Sequence, residues 1–338
     1  MKNFSKTAKE IQDFIKNSQN VLLHCHPSPD PDSIGSVLAM KKYLVSIGKN
    51  VTAIIGDYDY PTNMVDSFPI EKEIEKKSFF DINLEDFDLF IILDSSSTTQ
   101  ISRKGEVVFP EHLKTIVIDH HKTNIRFGDI NLVDENSAST TQVLYKLFKE
   151  WNIELDKDLA LYLFIGIYGD TGGFQYTLTS PETFRIATEL VSVCPNYHRV
   201  VFNLENSKRE IEVEMMGLAL SNIKKYFNGK VVLTVIPYEV IKERNISKED
   251  ATEGLVPEIL RSVKGWDIVG SLVEIEDCVT RIALRTRDEK KYDVSIIAKN
   301  VGTGGGGHPG AAGTTVMKNL TDAERELIRS ISNIYKEI

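Results

Sequence analysis

Apolar positions along this chain fall into two rhythms. Compact runs of strand length, Val21-Leu22-Leu23, residues 51–55, Phe90-Ile91-Ile92-Leu93 and Thr115-Ile116-Val117-Ile118, predict buried strands. Between them, apolar residues recur every three or four positions and predict helices. Ile11, Phe14 and Ile15 set one over residues 7–18; Ile34, Val37, Leu38 and Leu44 set another over 33–47, with Gly48 as its stop. Further helices are predicted at 139–151, 156–168 and 181–193. This alternation is that of a doubly wound α/β domain with a mostly parallel sheet. Cys194-Pro195-Asn196-Tyr197 stops the last helix, a further helical stretch runs to about residue 227, and strands then dominate. Runs at 231–236, 268–275, 279–287 and 294–298 predict a smaller C-terminal mixed-sheet α/β domain, closed by a helix at 321–338. The expected division is a first domain over 1–195, a connection over 196–215 and a second domain over 216–338. No internal repeat is visible.

Composition adds little beyond an ordinary globular protein. The 338 residues are 41% hydrophobic and 26% charged, enough for two domains. No apolar stretch approaches the ~20 residues that a membrane span requires, and residues 1–10 are polar, so the expectation is a cytoplasmic protein without membrane attachment. Cys25, Cys194 and Cys278 are too few and too far apart for a disulfide framework or a paired-cysteine zinc site; they read as small buried hydrophobes in a reducing compartment. A net charge of −9 argues against coating long duplex nucleic acid, which requires many phosphates to be neutralised at once. Small or short phosphorylated substrates stay open. Arg281, Arg285, Arg287, Lys290 and Lys291 form a local basic cluster that reads equally as phosphate-binding charge or as a solvated strand edge.

The chemistry gathers where apolar runs end. His26-Pro27-Ser28-Pro29-Asp30-Pro31-Asp32 follows the first strand, Asp94 the run at 90–93, and Asp119-His120-His121 the run at 115–118. Open parallel sheets present catalytic groups at such carboxyl ends. The prolines restrict their own φ and the residues before them, so His26, Asp30 and Asp32 lose less freedom on binding an ion. Asp170, in Gly169-Asp170-Thr171-Gly172-Gly173, adds an acid at the end of an apolar helix. Singly, these segments also read as a Pro/Asp turn, a helix cap or a C-terminal stop. Together they add up to one two-metal site, since adjacent imidazoles and acids at a buried strand end are costly unless they are ligands.

In this order the four motifs resemble the DHH phosphoesterase superfamily, whose name comes from the Asp119-His120-His121 triplet. Gly304-Gly305-Gly306-Gly307-His308-Pro309-Gly310-Ala311-Ala312-Gly313 is similar to the signature of its associated C-terminal domain, and Ile282-Ala283-Leu284-Arg285-Thr286-Arg287 to that domain's arginine-bearing strand. The layout most resembles the nanoRNase and pAp phosphatase group. The resemblance implies one ion held by His26 and Asp30, a second by Asp32, His120 and Asp170, and Asp94 bridging both, with two Mn²⁺ favoured and Mg²⁺ the alternative. It implies a catalytic set of Asp94, Asp119 and His121, with Asp119 orienting a neighbouring imidazole and His121 touching the scissile phosphate or moving a proton. Arg285, Gly305, Gly306, Gly307 and His308 would grip the substrate from the second domain, the active site lying in the cleft between domains. His24 is expected behind the ligands rather than among them. The implied substrates are short single-stranded RNA, a dinucleotide such as pApA, or pAp, and a homodimer is one assembly it allows. Cyclic dinucleotide phosphodiesterase, manganese pyrophosphatase or exopolyphosphatase, an exonuclease of long single strands and a nucleotide sensor without turnover are the competing readings.

Overall fold

The computed structural model describes residues 4–57, 64, 68–252, 256–302 and 305–338. The chain divides into two compact units, Met1–Ser207 and Lys208–Ile338.

In the first unit, β1 (Asn20–Cys25), β2 (Asn50–Ile55), β3 (Leu89–Leu93), β4 (Lys114–Asp119) and β5 (Ile130–Val133) form a five-stranded sheet in the order β2-β1-β3-β4-β5. Every pairing is parallel. β1 and β3 are buried along almost their whole length, which explains their unbroken apolar runs. One face, with Leu23, Ile91 and Ile118, packs on helices α1 (Phe4–Asn17), α2 (Pro31–Ser46), α4 (Thr140–Glu150), α5 (Lys157–Asp170) and α6 (Pro181–Val193). The short α3 (Ile70–Glu73) and α7 (Tyr197–Glu205) complete this side. The other face, with Leu22, Phe90, Ile92 and Val117, is covered by Phe79, Ile101, Val107 and Leu113 from short 3-10 turns and irregular segments. The chain leaves β1 for one neighbour, β2, and returns on the other side as β3. The order therefore reverses between β1 and β3, where open α/β sheets hold their ligands.

The second unit holds a six-stranded mixed sheet in the order β10-β11-β9-β8-β7-β6. Its strands are β6 (Ile223–Tyr226), β7 (Val231–Ile236), β8 (Ile268–Glu276), β9 (Val279–Thr286), β10 (Gly306–His308) and β11 (Ala311–Val316), and only β7 and β8 pair in parallel. One face packs on α12 (Val294–Val301) and α13 (Leu320–Ile334), the other on α8 (Glu210–Ser221), α9 (Tyr238–Glu243), α10 (Lys248–Thr252) and α11 (Val256–Arg261). Among the described residues no helix is long and apolar enough to cross a membrane.

Several local expectations change. Residues 294–298, expected as a strand, open helix α12: Val294, Ile297, Ala298 and Val301 repeat at helical spacing on the buried side, and Asp293 caps the helix through Ser295 N. The helical stretch expected to reach residue 227 is instead α7, α8 and the edge strand β6. β5 was not foreseen, because four residues with alternating burial give too short a signal. Cys278, expected buried, is exposed in a turn at φ 58°, whereas Cys25 and Cys194 are buried.

Candidate metal centre

The carboxyl ends of β1, β3 and β4 deliver the sequence-selected groups to one place. Asp30 caps α2: its Oδ1 accepts from Asp32 N at 3.0 Å and Ser33 N at 2.9 Å, leaving Oδ2 to face His26 Nε2 at 3.6 Å. His26 Nδ1 lies 3.1 Å from the Pro27 carbonyl, the partner that fixes a tautomer with Nε2 available to an ion. Asp94 follows β3 with φ 52° and is buried. Its two oxygens look in different directions, Oδ2 to His26 Nε2 at 3.3 Å and Oδ1 to His120 Nε2 at 3.7 Å. His120 Nε2 stands 3.0 Å from Asp170 Oδ2 at the end of α5, yet neither of its buried ring nitrogens makes an aligned hydrogen bond. A buried imidazole with Nδ1 unpartnered and Nε2 aimed among carboxylates is what a ligand position requires.

Asp32 is held from behind. Its Oδ1 accepts from Thr141 N at 2.9 Å and Thr141 Oγ1 at 2.6 Å, and its Oδ2 from Thr140 N at 2.6 Å, all at the start of α4. Thr140 Oγ1 donates to Asp94 Oδ1 at 3.0 Å. Asp119 is fully buried; its Oδ1 accepts from His121 Nδ1 at 2.7 Å and its Oδ2 from Asn124 Nδ2 at 2.6 Å. Asn124 Nδ2 also donates to the Ser95 carbonyl at 3.1 Å, tying the β3 end to the β4 end. His24 is buried on the other side of β1, with Nε2 near Gln100 O and Ser95 Oγ; burial lowers its pKa to about 3, so it is neutral packing behind the site.

Five carboxylates and three imidazoles in one patch perturb each other strongly. Burial, then the charges of Asp94 and Asp170, push Asp32 well above the usual carboxylate range. Burial likewise raises Asp170 to about 6. Burial pulls His120 down, but Asp170, Asp94 and Asp32 outweigh it and bring it to about 10. His26 is also depressed by burial and held well above its ordinary value by Asp30 and Asp94. Such a collection of acids calls for cations. The donors fit them: His26, Asp30 and Asp94 form one group and Asp32, His120 and Asp170 another, the ligand atoms within each lying no more than 4.8 Å apart. Oxygen and imidazole donors without thiolate suit Mn²⁺ or Mg²⁺, and the one nearby thiol, Cys25, is buried and pushed up by burial.

The sequence-selected groups of the second unit form a separate set. Ala311 of β11 pairs with Arg285 on one side and His308 on the other, so Arg285 and His308 flank one row of the sheet. Arg285 Nε donates to Glu258, and Nη1 to the Leu284 carbonyl at 3.0 Å. Gly306, Gly307 and His308 are a strand rather than an open loop; Gly307 has φ 136°, and a Cβ there would meet Ala311 O at 2.5 Å. Gly305 precedes this strand, donating to the Gly302 carbonyl at 3.1 Å, and Gly304 lies outside the described residues. Thr140, Thr141, Asn124 and Gly166 escaped sequence reasoning. The signals were a Ser-Thr-Thr run at a helix start and a glycine inside the apolar run Leu163-Phe164-Ile165-Gly166-Ile167.

Residues 20–167 match the family model described as DHH family, N-terminal domain. The bifunctional oligoribonuclease and PAP phosphatase NrnA of Thermus thermophilus is 28% identical over 329 residues, 94% of this chain and 90% of that protein. The protein of the same name from Bacillus subtilis is 24% identical over 322 residues, 94% and 95% of the two chains. Among solved structures, an exopolyphosphatase-related protein from Bacteroides fragilis superposes with a TM-score of 0.86 at 24% identity, over 98% of this chain and 96% of that one, a likeness of fold.

Proposed function

We propose, on the premise that residues 20–167 of this chain belong to the DHH family as its N-terminal domain, that the protein is a metal-dependent hydrolase of phosphoester bonds in short oligoribonucleotides and small nucleotides, pApA and pAp among them. One observation carries the reading: Asp94 lies between two donor groups, one oxygen toward His26 and the other toward His120. The names of the Thermus thermophilus and Bacillus subtilis relatives support the substrate class.

His26 and Asp30 would hold one divalent ion, Asp32, His120 and Asp170 a second, and Asp94 both; Mn²⁺ is favoured over Mg²⁺ by the imidazole share of the donors. When bound, such a pair supplies positive charge to the phosphate and a water of lowered pKa. The chain's own groups do the rest. The Thr140 and Thr141 contacts keep Asp94 and Asp32 from swinging away. Asp119 holds the Nδ1 side of His121 and leaves Nε2 on a partly exposed edge. Burial depresses the His121 imidazole and the hydrogen bond to Asp119 raises it; that bond, at Nδ1, orients the ring so that Nε2 would be the atom to give a proton to the departing ribose oxygen. Arg285 and His308 are assigned to substrate phosphate.

The test is product analysis with Mn²⁺ and pApA, pAp, cyclic di-AMP or pyrophosphate, with a chelator control and Asp94→Asn. The expected result is AMP from pApA or pAp, abolished by chelator and by the variant, whose circular dichroism stays native. Faster turnover of cyclic di-AMP or pyrophosphate would replace this reading with the corresponding one, and inertness on all four would favour the sensor.

A further inference from the structure

The turn that follows Asp170 is built at a conformational cost. Gly172, Gly173 and Phe174 follow one another with φ of 55°, 64° and 68°, and Phe174 has a side chain that disfavours that region. Thr171 holds the turn: its hydroxyl accepts from Phe174 N at 3.0 Å, and its carbonyl from Gln175 N and Tyr176 N at 2.8 and 2.9 Å. Phe174 is pinned by stacking on Phe184, 5.2 Å between centroids at 24°, and by an edge contact with Tyr168. The outcome is the placement of Tyr176. A Cβ on Gly172 would come within 2.5 to 2.8 Å of its Cζ, Cε1 and Cε2, so the ring lies against the backbone two residues beyond Asp170. Tyr176 is nevertheless 53% exposed, and its hydroxyl makes no hydrogen bond among the described residues. Core packing does not account for a strained turn that lays a large ring on a glycine and leaves it half open to solvent. Strain beside a reactive cluster is a reason to look for a ligand.

We infer that Tyr176 is a nucleobase-stacking residue, the feature that selects nucleotide phosphoesters over phosphates lacking a base. The inference rests on the hydrolase reading above and deepens it. Every base has a π face, so a ring laid on the backbone two residues beyond the proposed ligand Asp170 would grip the base next to the scissile phosphate with little sequence preference. Gly172 is the residue type that lets the ring lie so close, since any side chain there would displace it.

The experiment compares kcat/KM for pApA and for its abasic analogue in the wild-type protein, Tyr176→Phe, Tyr176→Leu and Tyr176→Ala, with Mn²⁺ present and thermal melts as a folding control. The wild type and Tyr176→Phe are expected to prefer pApA. Tyr176→Leu, which keeps apolar bulk without a π face, and Tyr176→Ala are expected to lose about 5- to 150-fold of that preference, the span of one base–aromatic stack. A preference unchanged in Tyr176→Leu and Tyr176→Ala overturns the stacking role and leaves the hydrolase reading standing. A wild-type protein inert toward both pApA and pAp overturns the hydrolase reading and this inference with it; for one that turns over only pAp, the same four proteins are compared on pAp and ribose 3′,5′-bisphosphate, and loss or no loss of preference is read in the same way.

Discussion

Asp94 shows how much this site asks of single residues. A left-handed conformation at a buried non-glycine residue costs on the order of 1 kcal/mol or more, and here it turns the carboxylate between two imidazoles. Its backbone N–H donates to Ile118 O at 3.0 Å, which keeps the distortion in register with β4. Asn124 works at one remove, joining Asp119 to the Ser95 carbonyl. Asn124→Ala is expected to lower Mn²⁺ affinity or turnover about 10- to 100-fold, the usual cost of losing a partner that orients ligands; metal titration and steady-state kinetics on pApA would read it. Protonation belongs to this scale as well. In the metal-free protein His120, raised to about 10, carries a proton at neutral pH that an ion must displace. Because the folded value is raised, its stabilising contribution is present in full below the ordinary ~6.5 and is lost as pH climbs through about 10. Mn²⁺ binding is therefore expected to release protons and to tighten as pH rises from 6.5 to 8. Calorimetry in buffers of different ionisation enthalpy gives the proton count, and a count of zero would contradict the charge state assigned to His120.

Between elements, α2 and α5 meet through glycine. A Cβ on Gly35 would sit 2.5 Å from the Tyr162 carbonyl oxygen, and one on Gly166 would sit 2.3 Å from Thr141 Oγ1 and 2.5 Å from Asp32 Oδ1. Both substitutions by Ala are expected to cost about 1–3 kcal/mol of stability through overpacking. Gly166→Ala should in addition weaken metal binding more than Gly35→Ala, because the atom it displaces belongs to a ligand. Urea melts and metal titrations of the two variants separate these effects. The same contact explains what was legible in the sequence. His26, Asp30, Asp32, Asp94, Asp119 and His120 stood out because strand runs end abruptly at them, and a parallel sheet brings such ends together. Thr140, Thr141 and Gly166 act across elements, through a helix start and an interhelical approach that no local period announces. Val294-Ser295-Ile296-Ile297-Ala298 misled for the opposite reason: its β-branched residues imitate a strand, while burial of Val294, Ile297, Ala298 and Val301 on one side makes a helix.

On the scale of the whole molecule, chemistry and stability are divided unequally. Each unit has its own cores, yet all six proposed ligands, from His26 to Asp170, lie in the first. An ion that binds only the folded first unit stabilises that unit by mass action, by ~2.7 kcal/mol at a free concentration one hundred times its Kd. Under those conditions amide exchange in β1, β3 and β4 of the wild-type protein is expected to slow by up to about 100-fold, while exchange in β7, β8 and β9 stays as it was. Chelator should erase the difference, and Asp94→Asn should show little of it at the same Mn²⁺ concentration. Equal slowing in both sheets would mean that the ions are held elsewhere or that the units open as a single cooperative body. The second unit offers one candidate for the first of these, Glu274 with the exposed Asp277 and Cys278. A Glu274→Gln control therefore tells them apart: slowing in β7, β8 and β9 that disappears in this variant assigns the ion to the second unit, and slowing that persists assigns it to shared cooperativity.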